Sequence, residues 1–520
     1  MGSDNGFRCG YPEQSSKRSH DPQTDSPCND ALLNMKVFKW RHWVESIKRH
    51  WIASSFAAAH LLGLFSSVDA LMDTRTAPGA VAWIISLNTF PVVSVPAYWV
   101  FGRAKFNGYV IGRRDTDSQL HHALAKKMAL VESFSVKDFS SHLDMTAMER
   151  LAKLPTLEGN DVELLTDGEA TFQSIFDGIQ SANEYLLVQF YIVRDDVVGA
   201  ELSKHLQARA RAGVAVHFLY DEIGSYQLPQ SYLNELRSAG VHVRPFHSTR
   251  GSGNRFQMNF RNHRKIVIAD GRVGWVGGHN VGDEYLGKDP KIGAWRDTHL
   301  KLMGPAVFGL QLSFLEDWHW ATGEALEYDW KPAEANGRNL PVLVLPSGPA
   351  DRFETASLMV QLALSNAQSR IWIASPYFVP DEGVQAAMKL AALRGVDVRI
   401  LIPEKPDNPL LYFAAYAFLG PLLEAGVNVY RYHGGFLHCK TILVDDKAAA
   451  VGTVNLDNRS FRLNFEITTW VYDRGFAEEM AAKYQHDFSS AHLMTASDVH
   501  DRPWWFRLAS RAAYLLAPVL

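Results

Sequence analysis

Cysteine is nearly missing from this chain. Cys9, Cys28 and Cys439 are the only three in 520 residues, an odd and scattered set with no metal-ligand spacing. That argues against a disulfide framework and fits a reducing compartment. A strongly basic balance is missing as well: 52 Lys and Arg stand against 56 Asp and Glu, a formal net charge of -4. Nucleic-acid binders carry the opposite bias, so no nucleic-acid partner is expected. Formal charge is absent from residues 51–68 and again from 80–101. A bilayer span needs roughly 20 apolar residues. The second stretch meets that length despite Asn88, Pro91 and Pro96; the first, with His60 and several Ser, is marginal. A cleaved signal peptide is not expected, because the apolar run starts only at residue 51 without a clear processing site.

What surrounds these stretches suggests a membrane anchor. Residues 36–49 carry Lys36, Lys39, Arg41, Lys48 and Arg49, and Arg103, Lys105, Arg113 and Arg114 follow the second stretch. The turn between the stretches holds only Arg75. Cations on both outer ends place both ends of a helical hairpin on the cytoplasmic side. One true span plus an interfacial helix is the alternative. Residues 1–35 are polar and rich in Ser, Asp, Asn and Pro, and are expected to be disordered. The tail, residues 501–520, is apolar with Arg507 and Arg511 and reads equally as an interfacial helix or as a helix packed on the preceding domain.

From about residue 160 the pattern alternates strand and helix. Residues 185–191, 214–219, 370–375 and 396–402 read as buried strands, and 198–212 and 382–393 as helices between them. Strand–helix–strand order implies parallel pairing under covering helices, an α/β fold. The halves repeat: Tyr191 and Tyr377 each stand four residues before an Asp, Asp195 and Asp381. A linker is expected at 322–340.

The repeat is sharpest at two short motifs. His263 and His438 are each followed by Lys at two residues (Lys265, Lys440), Asp at seven (Asp270, Asp445), Gly at fourteen (Gly277, Gly452) and Asn at seventeen (Asn280, Asn455). A strand after each motif would put His and Lys on one face, with Arg264 and Cys439 turned away. Two imidazoles, two ammonium groups and two carboxamides suit exchange at a phosphodiester. A neutral imidazole attacks phosphorus, and the second gives and takes the proton. Lys265, Lys440, Asn280 and Asn455 would hold the charged oxygens, with the small residues Gly277, Gly278 and Gly452 letting backbone approach an oxyanion. Each His also needs an acid to fix its tautomer. Glu466 is the candidate for His438, and Asp297 for His263. Asp270 and Asp445 complete the catalytic motif, although their place at strand ends favours a structural role. No metal site and no cofactor are expected.

The duplicated motifs resemble those of the phospholipase D superfamily. Their surroundings, NHRKIVIADG at 262–271, GGHNVGDEYLG at 277–287, WRDTH at 295–299, PSGP at 346–349 and NLDNRSFRLNFE at 455–466, are similar to bacterial cardiolipin synthases, as is VFGR at 100–103. Thr453 stands where Ser is common in that family, and Cys439 where Ala is common. The resemblance, over roughly residues 50–520, implies two phospholipase D-like α/β/α sandwich domains in a pseudo-twofold pair behind a transmembrane helical hairpin. On that basis a hairpin at 36–115, domains at 116–325 and 336–500 and an interfacial tail at 501–520 are expected. It implies that two phosphatidylglycerols become cardiolipin and glycerol through a phosphatidyl-histidine, with His263 as nucleophile and His438 as acid and base; motif symmetry leaves the reverse open. Membrane phospholipids would be the partners and the bacterial inner membrane the location, with the catalytic domains in the cytoplasm. A hydrolytic phospholipase D, or a transferase using another alcohol, is the nearest alternative. A superfamily nuclease and a non-catalytic scaffold fit the acidic balance, the apolar hairpin and the intact motifs less well.

Overall fold

The computed structural model describes residues 27–74, 76–102, 128–137, 145–246, 259–328 and 330–520, without the side chains of 27–39, 47 and 519. Residues 1–26 of the expected disordered segment, and the flanking cations Arg75, Arg103, Lys105, Arg113 and Arg114, lie outside the described residues.

Helix α1 (Pro27–Asp73) starts before residue 36, so the last part of the segment expected to be disordered is helical. It is followed by α2 (Ala77–Thr89) and α3 (Pro91–Phe101). The relative merit of the two apolar stretches is reversed. Trp40–Asp73 is continuous and, among the described residues, the one helix long and apolar enough to cross a bilayer. The second stretch breaks at Phe90, which leaves the helical region with φ -133° and ψ 56°. Proline explains the break: Pro91 lacks an N–H and disfavours helical backbone in the residue before it. The resulting pieces, 13 and 11 residues long, reach only about 20 Å each. Polar residues at the end of the first stretch and just after it are bonded inside the bundle, while His60 and Ser55 bond back to carbonyls of α1 and stay exposed. Ser67 Oγ accepts from Asn88 Nδ2 at 2.8 Å, Ser66 Oγ from Trp99 Nε1 at 3.1 Å, and Asp69 from the Tyr98 hydroxyl at 3.0 Å.

The remainder is built around one sixteen-stranded sheet, fourteen of whose strands form two sets of seven, with the short strands Arg261–Asn262 and Ala491–Leu493 added to it. The first half supplies β1 (Leu157–Thr166), β2 (Tyr185–Phe190), β3 (Ala215–Asp221), β4 (His242–Phe246), β5 (Ile266–Ala269), β6 (Val273–Gly277) and β7 (Thr298–Met303). The second supplies β8 (Leu340–Ser347), β9 (Arg370–Ala374), β10 (Asp397–Pro403), β11 (Asn428–Tyr432), β12 (Thr441–Val444), β13 (Ala448–Gly452) and β14 (Asn464–Val471). From the seam outward the order is β1-β7-β6-β5-β2-β3-β4 on one side and β8-β14-β13-β12-β9-β10-β11 on the other. The two orders are identical, and β1 pairs with β8 antiparallel across the seam. As the strand–helix–strand order implied, β2 runs parallel to β3, and β9 to β10.

Helices cover both faces, which is why the strands are apolar without alternation. Leu186, Val188 and Phe190 pack with Ile175, Ile179, Leu202 and Leu206 from α4 (Gly168–Ser181) and α5 (Val197–Arg211). Leu187, on the opposite face, belongs with Leu310, Phe314 and Trp318 of α6 (Val307–Thr322). That layer continues through Val342 and Val344 into the second half, so the halves share a core. α7 (Thr355–Asn366), α8 (Glu382–Leu393), α9 (Pro409–Glu424), α10 (Arg474–Ser489) and α11 (Trp504–Tyr514) complete the second half. Between α6 and β8 the described residues form no helix or strand.

Asp270 and Asp445 sit at the far ends of the motif strands. Both adopt left-handed backbone, φ 52° and 54°. The Asp270 carboxylate accepts the N–H groups of Asn183, Glu184 and Tyr185 at 2.8–2.9 Å and so begins β2. Asp445 does the same for β9 through Gln368, Ser369 and Arg370. Seven residues of extended chain separate each from its His, about 20 Å. Their placement with the catalytic groups is therefore corrected: they anchor strands. Replacing Asp270 by Ala should cost about 2–3 kcal/mol, seen as a lower unfolding midpoint, while the folded fraction keeps its turnover number.

Candidate active site

Just before each motif a two-residue strand crosses to the other half. Arg261–Asn262 runs parallel to the start of β14, and His263 N donates to Phe465 O at 2.9 Å. Phe436–Leu437 runs parallel to Trp295–Arg296, and His438 N donates to Arg296 O at 2.8 Å. Each His is thus laid beside the next residue of the opposing strand. His263 Nδ1 meets Glu466 Oε2 at 2.9 Å, and His438 Nδ1 meets Asp297 Oδ2 at 2.6 Å. The two expected acids are the right residues with exchanged partners, because the pairing strands cross the seam.

Neither carboxylate is loosely held. Glu466 is fully buried and its second oxygen accepts from Ser460 Oγ at 2.8 Å and Asn464 Nδ2 at 3.1 Å. Asp297, equally buried, accepts from Thr298 N at 2.8 Å. Burial pushes both carboxyls up, but the facing imidazole, its hydrogen bond and the nearby lysines outweigh it, leaving both below the ordinary range. Burial pushes both imidazoles down, and the carboxylates only partly restore them. With each Nδ1 engaged by a carboxylate, Nε2 is the ring nitrogen left for chemistry.

Lys265 and Lys440 follow on the same face. Their ammonium groups donate to the carbonyls of His263 and His438 at 2.6 and 2.5 Å. Burial, and each other's charge in the case of Lys265, depresses them: Lys265 falls well below the ordinary range and Lys440 to about 8. His263 also feels Lys440, and His438 feels Lys265, so the four groups converge. Two cations this poorly solvated favour an anion between them.

The remaining expected residues divide. Asn280 spends its carboxamide on the protein: Oδ1 accepts from Ile192 N at 3.1 Å and Nδ2 donates to the Tyr285 hydroxyl at 3.1 Å. One N–H remains for a ligand. Asn455 is buried, and its Oδ1 has no hydrogen-bond partner. The glycines play a different part from the one expected. A Cβ at Gly278 would lie 2.0 Å from Asp297 Oδ1, and one at Gly452 2.4 Å from Ile467 O. They make room for the carboxylate strands, not for an oxyanion. Arg264 does turn away, into a buried ion pair with Asp317 at 2.9 Å and a hydrogen bond to Glu466 O at 3.0 Å. Cys439 is buried and its thiol is pushed up to about 12 by desolvation.

Several contributors escaped the sequence. Tyr191 presents its ring edge to His263 (centroids 4.9 Å apart) and its face to Lys265 Nζ at 5.4 Å. Its match between the halves was the available signal. Trp295 packs 4.9 Å from His438. Arg296 is clamped by Asp487 at 2.8 and 2.9 Å, a partner 191 residues away that no local pattern reveals.

A model of the family described as cardiolipin synthase, PLD-like domain, matches residues 175–292 and 360–490. Cardiolipin synthase A of Pseudomonas putida is 45% identical over 478 residues, covering 89% of this chain and 96% of that protein. Its namesake in Pseudomonas aeruginosa is 46% identical over 463 residues, covering 88% and 94%. Among solved structures, a phosphatidylserine synthase from Haemophilus influenzae shares the fold at 16% sequence identity and a TM-score of 0.54, covering 72% of this chain and 99% of that one.

Two outcomes test this geometry. Glu466→Gln should move the imidazole nitrogen resonances of His263 and leave those of His438, with Asp297→Asn doing the reverse. The depressed lysines set a pH limit. An ammonium with a lowered pKa loses its proton early, so kcat/KM for an anionic phosphodiester should fall as pH rises through about 8, where Lys440 titrates. Binding of the anion near and above that pH should take up protons, because it raises the Lys440 pKa, measurable by calorimetry in buffers of different ionisation enthalpy.

Proposed function

The chain belongs to the cardiolipin synthase family with phospholipase D-like domains, and from that premise we infer that it transfers a phosphatidyl group between two phosphatidylglycerols. As a member it is a phosphatidyltransferase. The observation that carries the finer reading is the pair of crossed imidazole–carboxylate contacts beside two buried lysines.

Phosphatidylglycerol brings its phosphate between Lys265 and Lys440, and the anion raises the depressed cations. Nε2 of His263 forms a bond to phosphorus as the bond to the glycerol oxygen breaks. His438, protonated, gives its proton to the departing alkoxide, releasing glycerol. It then takes the proton from the terminal hydroxyl of a second phosphatidylglycerol. That oxygen bonds to phosphorus, the phosphorus–nitrogen bond breaks, and cardiolipin leaves. One diester is exchanged for another, so the balance needs no nucleotide. Asn280 and Asn455 add hydrogen-bonding capacity at the phosphate.

Transfer wins over hydrolysis when acceptor lipid is held close and water is scarce. The apolar helix α1 supports a site kept at a membrane, which we place at the bacterial inner membrane with the sheet on the cytoplasmic side. Deleting residues 1–105 should lower the yield of cardiolipin relative to phosphatidate.

The direct test is lipid mass spectrometry of the purified protein with phosphatidylglycerol alone. Cardiolipin and glycerol are expected. Phosphatidate as the sole product would make the protein a hydrolase. His263→Ala and His438→Ala should each lower turnover by roughly a thousandfold or more. His438→Ala, rapidly denatured at mildly alkaline pH to preserve the acid-labile phosphorus–nitrogen bond, should retain a phosphatidyl adduct on His263, and an adduct on His438 in His263→Ala would reverse the assigned roles.

A further inference from the structure

Helix α11 has two apolar faces, and only one of them is covered. Phe506, Ser510, Ala513 and Ala517 lie against the domain. Phe506 packs tilted against Phe413 and at right angles to Tyr416 of α9, with ring centroids 5.1 and 4.9 Å away, and Ser510 Oγ donates to Phe413 O at 2.7 Å. At 3.6 residues per turn the opposite side carries Trp504, Leu508, Ala512 and Leu515. Trp504 is 71% exposed, Leu508 63% and Leu515 77%, with Trp505 and Leu516 extending the stripe. Arg507 and Arg511, both exposed, lie along one edge of it.

A packing helix should be polar on this outer side. Contiguous exposed apolar surface on a soluble face marks a binding site. The make-up of the stripe identifies the occupant. Paired Trp and Leu with Arg at the margin are the residues that settle at the boundary between acyl chains and headgroups, where the indole N–H stays wet and the cation meets phosphate. Of the acids near it, Asp498 caps the preceding short helix through Thr495, and Glu424 lies toward His500. We propose that α11 is a docking helix that rests its Trp504–Leu508–Leu515 face on an anionic phospholipid bilayer.

Its position connects that surface to the site. α11 packs on α9, and Leu411, Tyr412 and Ala415 of α9 line a small open pocket with Tyr377, Asp407 and Arg431. The Tyr377 hydroxyl donates to Asp407 at 2.6 Å, and Asp407 feels the charge of Lys440. Docking through α11 therefore turns this pocket, whose Asp407 senses the charge of Lys440, toward the lipid. The docking geometry does not depend on which phosphatidyl reaction follows, so its test stands apart from product analysis.

The full chain, with Cys9→Ser and Cys28→Ser and the buried Cys439 retained, would carry a nitroxide at Leu508→Cys or Leu515→Cys. It would be reconstituted into vesicles of equal parts phosphatidylglycerol and phosphatidylcholine. Both labels should become accessible to oxygen and shielded from a water-soluble nickel complex. A label at Ala212→Cys, exposed at the end of the sheet away from the motifs, should remain open to nickel. Nickel access at 508 and 515 in vesicles would overturn the proposal. So would shielding already present in detergent together with spin–spin coupling abolished by unlabelled protein, which would assign the face to a second copy. The variant Trp504→Gln/Leu508→Gln/Leu515→Gln should lose about tenfold in turnover on vesicles and keep its rate on monomeric short-chain phosphatidylglycerol. An equal loss on both substrates would mean the face is structural.

Discussion

Each motif imidazole is oriented by a carboxylate from the opposite half of the chain, and the arrangement of the site follows from that exchange. His263 reaches Glu466 only because Arg261–Asn262 joins the edge of β14, and His438 reaches Asp297 only because Phe436–Leu437 joins Trp295–Arg296. Neither half contains a complete pair. Substituting away either imidazole would leave its carboxylate buried and uncompensated, and losing one partner of a buried charge pair typically costs about 3–5 kcal/mol. The seam between β1 and β8, and the core running from Leu187 and Phe314 through Val342 and Val344, hold the halves in the register that the exchange requires.

The same burial gives the site its charge pattern. Glu466 and Asp297 stay ionised because hydrogen bonds and neighbouring cations offset their desolvation. The imidazoles and lysines are desolvated with less compensation and are pushed toward their neutral forms. In the proposed reaction a phosphodiester would supply the missing negative charge. Binding it recovers electrostatic energy that the fold has withheld, which is how a preorganised site favours the charge of the reacting group.

Much of this was legible in the sequence, and the parts that were not share a cause. The duplicated His, Lys, Asp, Gly and Asn offsets exposed the repeat, and repetition of strand and helix patterns fixed the parallel pairs of each half. Glu466 and Asp297 could be picked out as acids near each motif. Their partners could not, because the exchange is made by two-residue strands whose pairing lies 203 and 141 residues apart in the chain, beyond any local periodicity. Gly278 and Gly452 read as phosphate-facing until the backbone placed them against Asp297 and Ile467. In the N-terminal region, hydropathy ranked the second apolar stretch above the first. Pro91 and the inward hydrogen bonds of Ser66, Ser67 and Asp69 reversed that order, since hydropathy counts polar atoms without knowing whether they are bonded.

Duplication also leaves room for the two imidazoles to differ. Glu466 is anchored by side chains, Ser460 and Asn464, within its own segment. Asp297, one methylene shorter, is held by a backbone N–H and sits beside Arg296, which is itself clamped by Asp487. His263 is flanked by Tyr191, and His438 by Trp295 and Phe436. A strictly symmetric pair would have no basis for dividing attack from proton transfer. These unequal surroundings supply one, because the strength with which each carboxylate holds its imidazole governs how readily that ring carries a proton.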